Sequence, residues 1–165
     1  FDGFKPFIVS TMLYPKMIDC SFQSVESELM RVSKEQNEEI YGLETVEDQM
    51  NVFDTISYEI QAQELVKMAK SDLEKDKAEL AKMMEVYKNK DIEGMLEMLD
   101  DSENKITSEN QDVLLNNRNQ NWIPLMVKTM KEKPTFFGVG AAHLAGEKGV
   151  IKLLRKQGFK VEAVK

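Results

Sequence analysis

The chain contains one histidine, His143, preceded by the small residues Gly140, Ala141 and Ala142. Imidazole changes charge closest to neutral pH and is the commonest metal ligand among side chains, so the surroundings of His143 decide what chemistry is open to it. Residues Phe136–Lys165, reading FFGVGAAHLAGEKGVIKLLRKQGFKVEAVK, predict a strand, a turn, a helix over Glu147–Gln157 and a last strand over Phe159–Val164. His143 then stands in the turn, just past the C-terminal end of a buried strand Thr135–Gly140. In open α/β sheets that edge gathers ligands, because strand ends and helix N-termini meet there. Gly140 keeps the turn open to a metal or substrate. The other reading is a ring that only bonds the backbone of its own loop.

Two further side chains could work with it. Glu44 ends a short β-preferring run, Glu39–Glu44, and Arg118 lies in the polar stretch Asn116-Asn117-Arg118-Asn119-Gln120-Asn121. A carboxylate and an imidazole can share a divalent metal, and a guanidinium can hold a carboxylate or a developing oxyanion. Each also has a plainer role: Glu44 as an acid near a helix start, Arg118 as the partner of a surface acid.

The elements that must position these residues read as a helix-rich α/β domain. Helices are expected from Pro6 to before Pro15, from Ser24 to Lys34, after the capping residue Thr45, and through Thr55–Asp100. The last run should break at the capping-box pattern Ser71-x-x-Glu74 and restart at Asp91-x-x-Gly94. A second capping box, Ser108-x-x-Gln111, should open a long helix up to Lys131, kinked or restarted at Pro124. Glu39–Glu44, Thr135–Gly140 and Phe159–Val164 supply the strands of a small sheet, and Gly158 closes the helix before the last one. An unpaired edge of such a sheet would favour a homodimer.

With 165 residues, 42% hydrophobic and 31% charged, one folded domain is expected. The formal charge of −7, from 29 acids against 22 bases, works against nucleic acid and anionic membranes. The basic group Lys148, Lys152, Arg155, Lys156 and Lys160 reads as the solvated face of the terminal helix. The lone Cys20 excludes an internal disulfide and reads as a small buried apolar residue. No run is long and apolar enough to span a membrane. The 11 methionines read as core, or as an adaptable apolar face for a partner.

Three separated segments carry a resemblance. GVGAAHLAGEKGVIKLLRKQGFKVEAV looks like the C-terminal signature of the TraB/PrgY/GumN family, related to the Tiki proteases, with a Gly-x-x-His motif and then Leu-x-Gly-Glu-x-Gly. Tyr41-Gly-Leu-Glu44-Thr-Val-Glu-Asp-Gln49 is similar to its Gly-Leu-Glu-Thr segment with a downstream glutamine, and Asn117-Arg118-Asn119 before Trp122 resembles its Arg-Asn helix. The resemblance implies a polar site of two Gly-x-x-His motifs, the glutamate and the arginine. Carried over, it makes Glu44, Arg118 and His143 catalytic, with His143 and Glu44 as metal ligands and Arg118, Gly140 and Glu147 on the substrate. The first Gly-x-x-His of the family has no counterpart here, so an N-terminally truncated domain is expected, with the compartment left open. One histidine and one glutamate make two ligands where a tight site needs three or four, so this chain is expected to hold a divalent metal weakly at most. The implied function is a metal-dependent, peptidase-like hydrolase of which this chain is an incomplete part. The alternative is a noncatalytic protein that binds a peptide or small anionic ligand.

Overall fold

The computed structural model describes residues 3–18, 20–21 and 23–164; Phe1, Asp2 and Lys165, at the ends of the first and last expected elements, lie outside them. Among the described residues the regular structure is helical, and the expected α/β sheet is absent. The helices are α1 (Pro6–Thr11), α2 (Val25–Glu35), α3 (Val46–Asp54), α4 (Tyr58–Lys70), α5 (Glu74–Lys88), α6 (Ile92–Asp100), α7 (Lys105–Ser108), α8 (Asn117–Glu132) and α9 (Val150–Lys156). A π-helical turn, Asp112–Asn116, runs directly into α8, and single 3-10 turns form at Tyr14–Met17 and Ala141–His143.

Several boundaries follow their capping residues. Ser24 accepts from the Ser27 amide at the start of α2, and Thr45 and Asp48 form a reciprocal capping box on α3. Asp91 accepts from the Gly94 amide at 2.9 Å to start α6. Gly158, at φ +89°, turns the chain away from α9. Two expected caps do other work. The break between α4 and α5 is made by Asp72 and Leu73 at φ +50° and +64°, while the Ser71 hydroxyl donates back to the Met68 carbonyl. Ser108 closes α7, its hydroxyl donating to the Asn104 carbonyl, and the wide π turn opens the long helix instead. Pro124 lies inside α8, which runs through it unbroken.

The three expected strands do not form: all three segments lack regular structure, and the first ends in a bend at Leu43–Glu44. Thr135–Gly140 alternates: Phe137 and Val139 pack on the core while Phe136 is 77% exposed. Period-two burial of this kind is satisfied by one helical surface, and here that surface is α8 and α9. Strand ladders need a second backbone in register, and no described segment supplies one. Phe159–Val164 and Glu39–Glu44 are likewise unpaired.

The core around the site consists of Trp122, Ile123 and Met126 of α8 with Val150 of α9, covered by Leu43, Phe137, Val139, Leu144, Leu153 and Leu154. A second centre joins α1 to α3 and α4. There Phe7 stacks on Phe53 with centroids 3.5 Å apart, and the fully buried Gln61 donates to the carbonyls of Phe53 and Ile56 and accepts from the Phe7 amide. Met17, Met68 and Met126 are buried while Met12, Met30 and Met84 are exposed, so the methionines divide between core and surface. Cys20, expected inside, is exposed, and a single thiol adds too little apolar area to require burial.

The loop into α9 leaves no room at Gly149, where an added Cβ would lie 2.0 Å from the Ala145 carbonyl oxygen and 2.5 Å from that of Leu144. Gly149→Ala is therefore expected to cost about 3 kcal/mol or more. Gly158→Ala, with open space but positive φ, should cost only about 1–2 kcal/mol. Urea unfolding of both variants checks the order.

Candidate functional site

Three segments far apart in the chain converge at the start of α8. The first is the bend that delivers Glu44. A Cβ on Gly42 would lie 2.6 Å from the Glu44 carbonyl oxygen, so glycine is what lets the chain fold tightly here before Thr45 caps α3. The second is α8 itself, which presents Arg118, Asn119 and Trp122 within one turn. The third is the 3-10 turn, closed by the His143 amide donating to the Gly140 carbonyl at 2.9 Å. Gly140 has φ −59°, and a Cβ there would make only ordinary contact with the His143 ring, 3.6 Å from Cδ2. Its contribution is the carbonyl and the small volume.

Arg118 holds Glu44 in a fork. Nη2 donates to Oε1 at 2.5 Å, and Nε lies 3.2 and 3.1 Å from the two carboxylate oxygens. Trp122 donates its indole N–H to Oε2 at 3.1 Å, and the Gln49 side chain also bonds the carboxylate. The remaining arm, Nη1, donates to the Leu114 carbonyl in the π turn at 2.8 Å and lies 3.4 Å from Nε2 of His143. Indole and imidazole rings are 4.5 Å apart, tilted by 41°, and the guanidinium carbon sits 5.1 Å from the indole centroid.

This geometry sets the charges. Burial opposes ionisation of Glu44, but the hydrogen bonds and charge of Arg118, with Trp122 and Gln49, outweigh it and hold the carboxyl below its usual range. For His143, burial and then the Arg118 charge disfavour the cation more than Glu44 favours it, and its pKa falls to about 4. The imidazole, 7% exposed, is neutral at neutral pH. Nδ1 lies 2.6 Å from Oδ1 of Asn119, whose amide donates to the carbonyls of His143 and Lys148 at 3.3 and 3.0 Å.

Sequence model matching settles the kinship: the TraB/PrgY/gumN family model covers residues 1–163. The chain belongs to this family. No curated protein and no solved structure matches it.

Of the residues that the family pattern singles out, Glu44, Arg118 and His143 meet, with Gly140 holding the histidine turn. Glu147 lies apart from them in solvent, paired with Lys152 and Lys156, and α9 begins only at Val150. Lys148 pairs with Asp112 and Lys160 with Glu162, so much of the basic group is neutralised locally. The glycines of Leu144-x-Gly146-Glu147-x-Gly149 are steric: Gly146 has φ +75° and abuts Leu96 of α6, and Gly149 admits no side chain. Asn119, Trp122 and Gln49 are the members of the cluster that side-chain chemistry did not single out in advance. Their signal was present, since Asn119 adjoins Arg118, Trp122 follows one helical turn later and Gln49 is the glutamine downstream of Glu44.

A cleft of about 380 Å³ opens on the Glu44 and Arg118 side, between α3 and α8, lined also by Asp48, Asn51, Asn117, Asn121 and Trp122. As packed, the cluster does not fit a divalent metal. Nε2 of His143 faces a guanidinium and both Glu44 oxygens are engaged, so a bound cation would stand against Arg118. No group of three or more metal-ligating residues occurs among the described residues.

The histidine predicts a pH window. Its folded pKa, about 4, lies below the ordinary histidine value of 6.5, so between these values the unfolded chain binds more protons and stability falls as pH falls. The loss should reach roughly 3 kcal/mol and end near the folded pKa. Glu44, whose folded pKa is lowered, adds a loss that starts near its ordinary value of 4.5 and so overlaps the end of this window. Urea unfolding from pH 7.5 to 4 checks this, with His143→Gln expected to flatten the upper part of the curve.

Proposed function

We propose that the Glu44–Arg118–His143 cluster is the polar centre of a peptide-directed hydrolase. The observation that supports this reading is the convergence of the three residues from separate segments into one partly buried network beside a cleft. A structural ion pair would need neither the histidine nor the opening. The cleft wall supports a peptide over a free anion. Glu44 and Asp48 outnumber Arg118 as charges there, and the side-chain amides of Asn51, Asn117 and Asn121 match main-chain N–H and C=O groups.

The roles belong to this chain's own side chains. Arg118, held in a fixed direction by Glu44 and the Leu114 carbonyl, can donate to a carbonyl oxygen that gains negative charge, at no cost of reorientation. His143 enters neutral with Nε2 unprotonated, the form that accepts a proton. A negative charge developing on that oxygen, beside Arg118, would offset the guanidinium charge that adds to burial in depressing the His143 pKa, so uptake of a proton from an attacking water would be coupled to that charge. The family resemblance implies a divalent metal as well; because the cluster does not fit one as packed, no step is assigned to it.

The test is turnover of quenched fluorescent peptides and of an ester panel by the protein with Mn²⁺, Co²⁺ or Zn²⁺ added. Arg118→Ala and His143→Ala are each expected to lower kcat/KM at least ~100-fold. Absence of turnover, or full activity in His143→Ala, would sink the hydrolase reading.

The second reading is a noncatalytic peptide-binding protein, favoured by the complete engagement of Glu44 in holding Arg118. Peptide binding without turnover would establish it. Calorimetric titration of this chain with the same ions is expected to give no stoichiometric submicromolar binding. Tight binding would require Arg118 to leave the Glu44 fork.

A further inference from the structure

Asn119 is 1% exposed, and each polar atom of its side chain has a partner. Its two N–H groups point at the His143 and Lys148 carbonyls, 3.3 and 3.0 Å away. Carbonyls only accept, so the NH₂ end of the amide must face them and Oδ1 must face the imidazole. Oδ1 is also only an acceptor, and it lies 2.6 Å from Nδ1 of His143. A proton must therefore sit on Nδ1, which leaves the lone pair on Nε2. The other ring nitrogen gives the same answer, because Nε2 lies 3.4 Å from an Arg118 nitrogen that can only donate.

We propose that Asn119 is a positioning residue that locks His143 in the Nδ1–H tautomer, so that Nε2 is the one basic nitrogen presented to Arg118. The two carbonyls are essential to this. Without them the amide could turn over, offer N–H to the ring and select the opposite tautomer. The loop from His143 to Lys148 thus instructs the ring through a side chain of α8. Sharing one residue between loop anchoring and tautomer selection means that the loop cannot shift without releasing the ring.

The use made of Nε2 rests on the hydrolase reading; the tautomer does not. Because His143 is the only histidine in the chain, a two-bond ¹H–¹⁵N spectrum of the ¹⁵N-labelled protein at pH 7 reports it without assignment. The expected spectrum has Nδ1 protonated and Nε2 unprotonated. Asn119→Leu should let the Nε2–H form appear. A mainly Nε2–H spectrum of the unmodified protein, or an Asn119→Leu spectrum unchanged from it, would overturn the proposal. Should the leucine variant not fold, Asn119→Ala is read in its place, with the same two outcomes. A locked tautomer in a protein that turns over no peptide would uphold the lock and remove the hydrolase.

Discussion

Burying a guanidinium sets the terms for the rest of the site. Arg118 cannot shed its proton, so five N–H groups and a positive charge must be matched wherever it is drawn from water. Three separate parts of the chain supply the match. The Gly42–Glu44 bend brings the carboxylate, the π turn brings the Leu114 carbonyl, and the His143 turn brings an unprotonated nitrogen. Trp122 covers one face and donates to the same carboxylate. Each partner is in turn held by something local: Thr45 and Asp48 behind Glu44, Asn119 behind His143, and tight glycines behind the loop into α9.

The consequence for chemistry is a cluster with paired charges and one neutral base. Arg118 and Glu44 cancel, and burial, aided by the same guanidinium, keeps the histidine uncharged. Such an arrangement resists a cation, because the two groups with metal-ligating chemistry are turned toward a fixed positive charge. On the proposed reading the ligand places partial negative charge beside Arg118 while the bulk of the molecule stays uncharged, as a peptide carbonyl does.

Local sequence located the elements well where a boundary depends on neighbours in the chain. Ser24, Thr45, Asp91 and Gly158 end or begin helices by bonds or backbone angles reached within three residues. Ser71 and Ser108 carry the same residue types and fail, because their hydroxyls bond back into the helix they close. The strands fail for a different reason. Phe137 and Val139 alternate with exposed neighbours as strand residues do, but alternation reports a half-buried extended segment and says nothing about a pairing partner. Here helices α8 and α9 take the apolar side.

By itself, the sequence determined the family, through three motifs in order, within which stand Glu44, Arg118 and His143 and the glycine, Gly42, that the bend before Glu44 requires. These are local properties, written in residue type and spacing. Only the tertiary structure decided that Arg118 stands between the other two, that Trp122 and Asn119 belong with them, that Glu147 does not, and that extended segments pack on helices rather than on one another. The reason is distance along the chain. Arg118 and Glu44 are 74 positions apart and Arg118 and His143 are 25 apart, and no spacing rule reaches that far. Which partner a buried charge takes, and so the protonation of its neighbours, is settled when the segments meet.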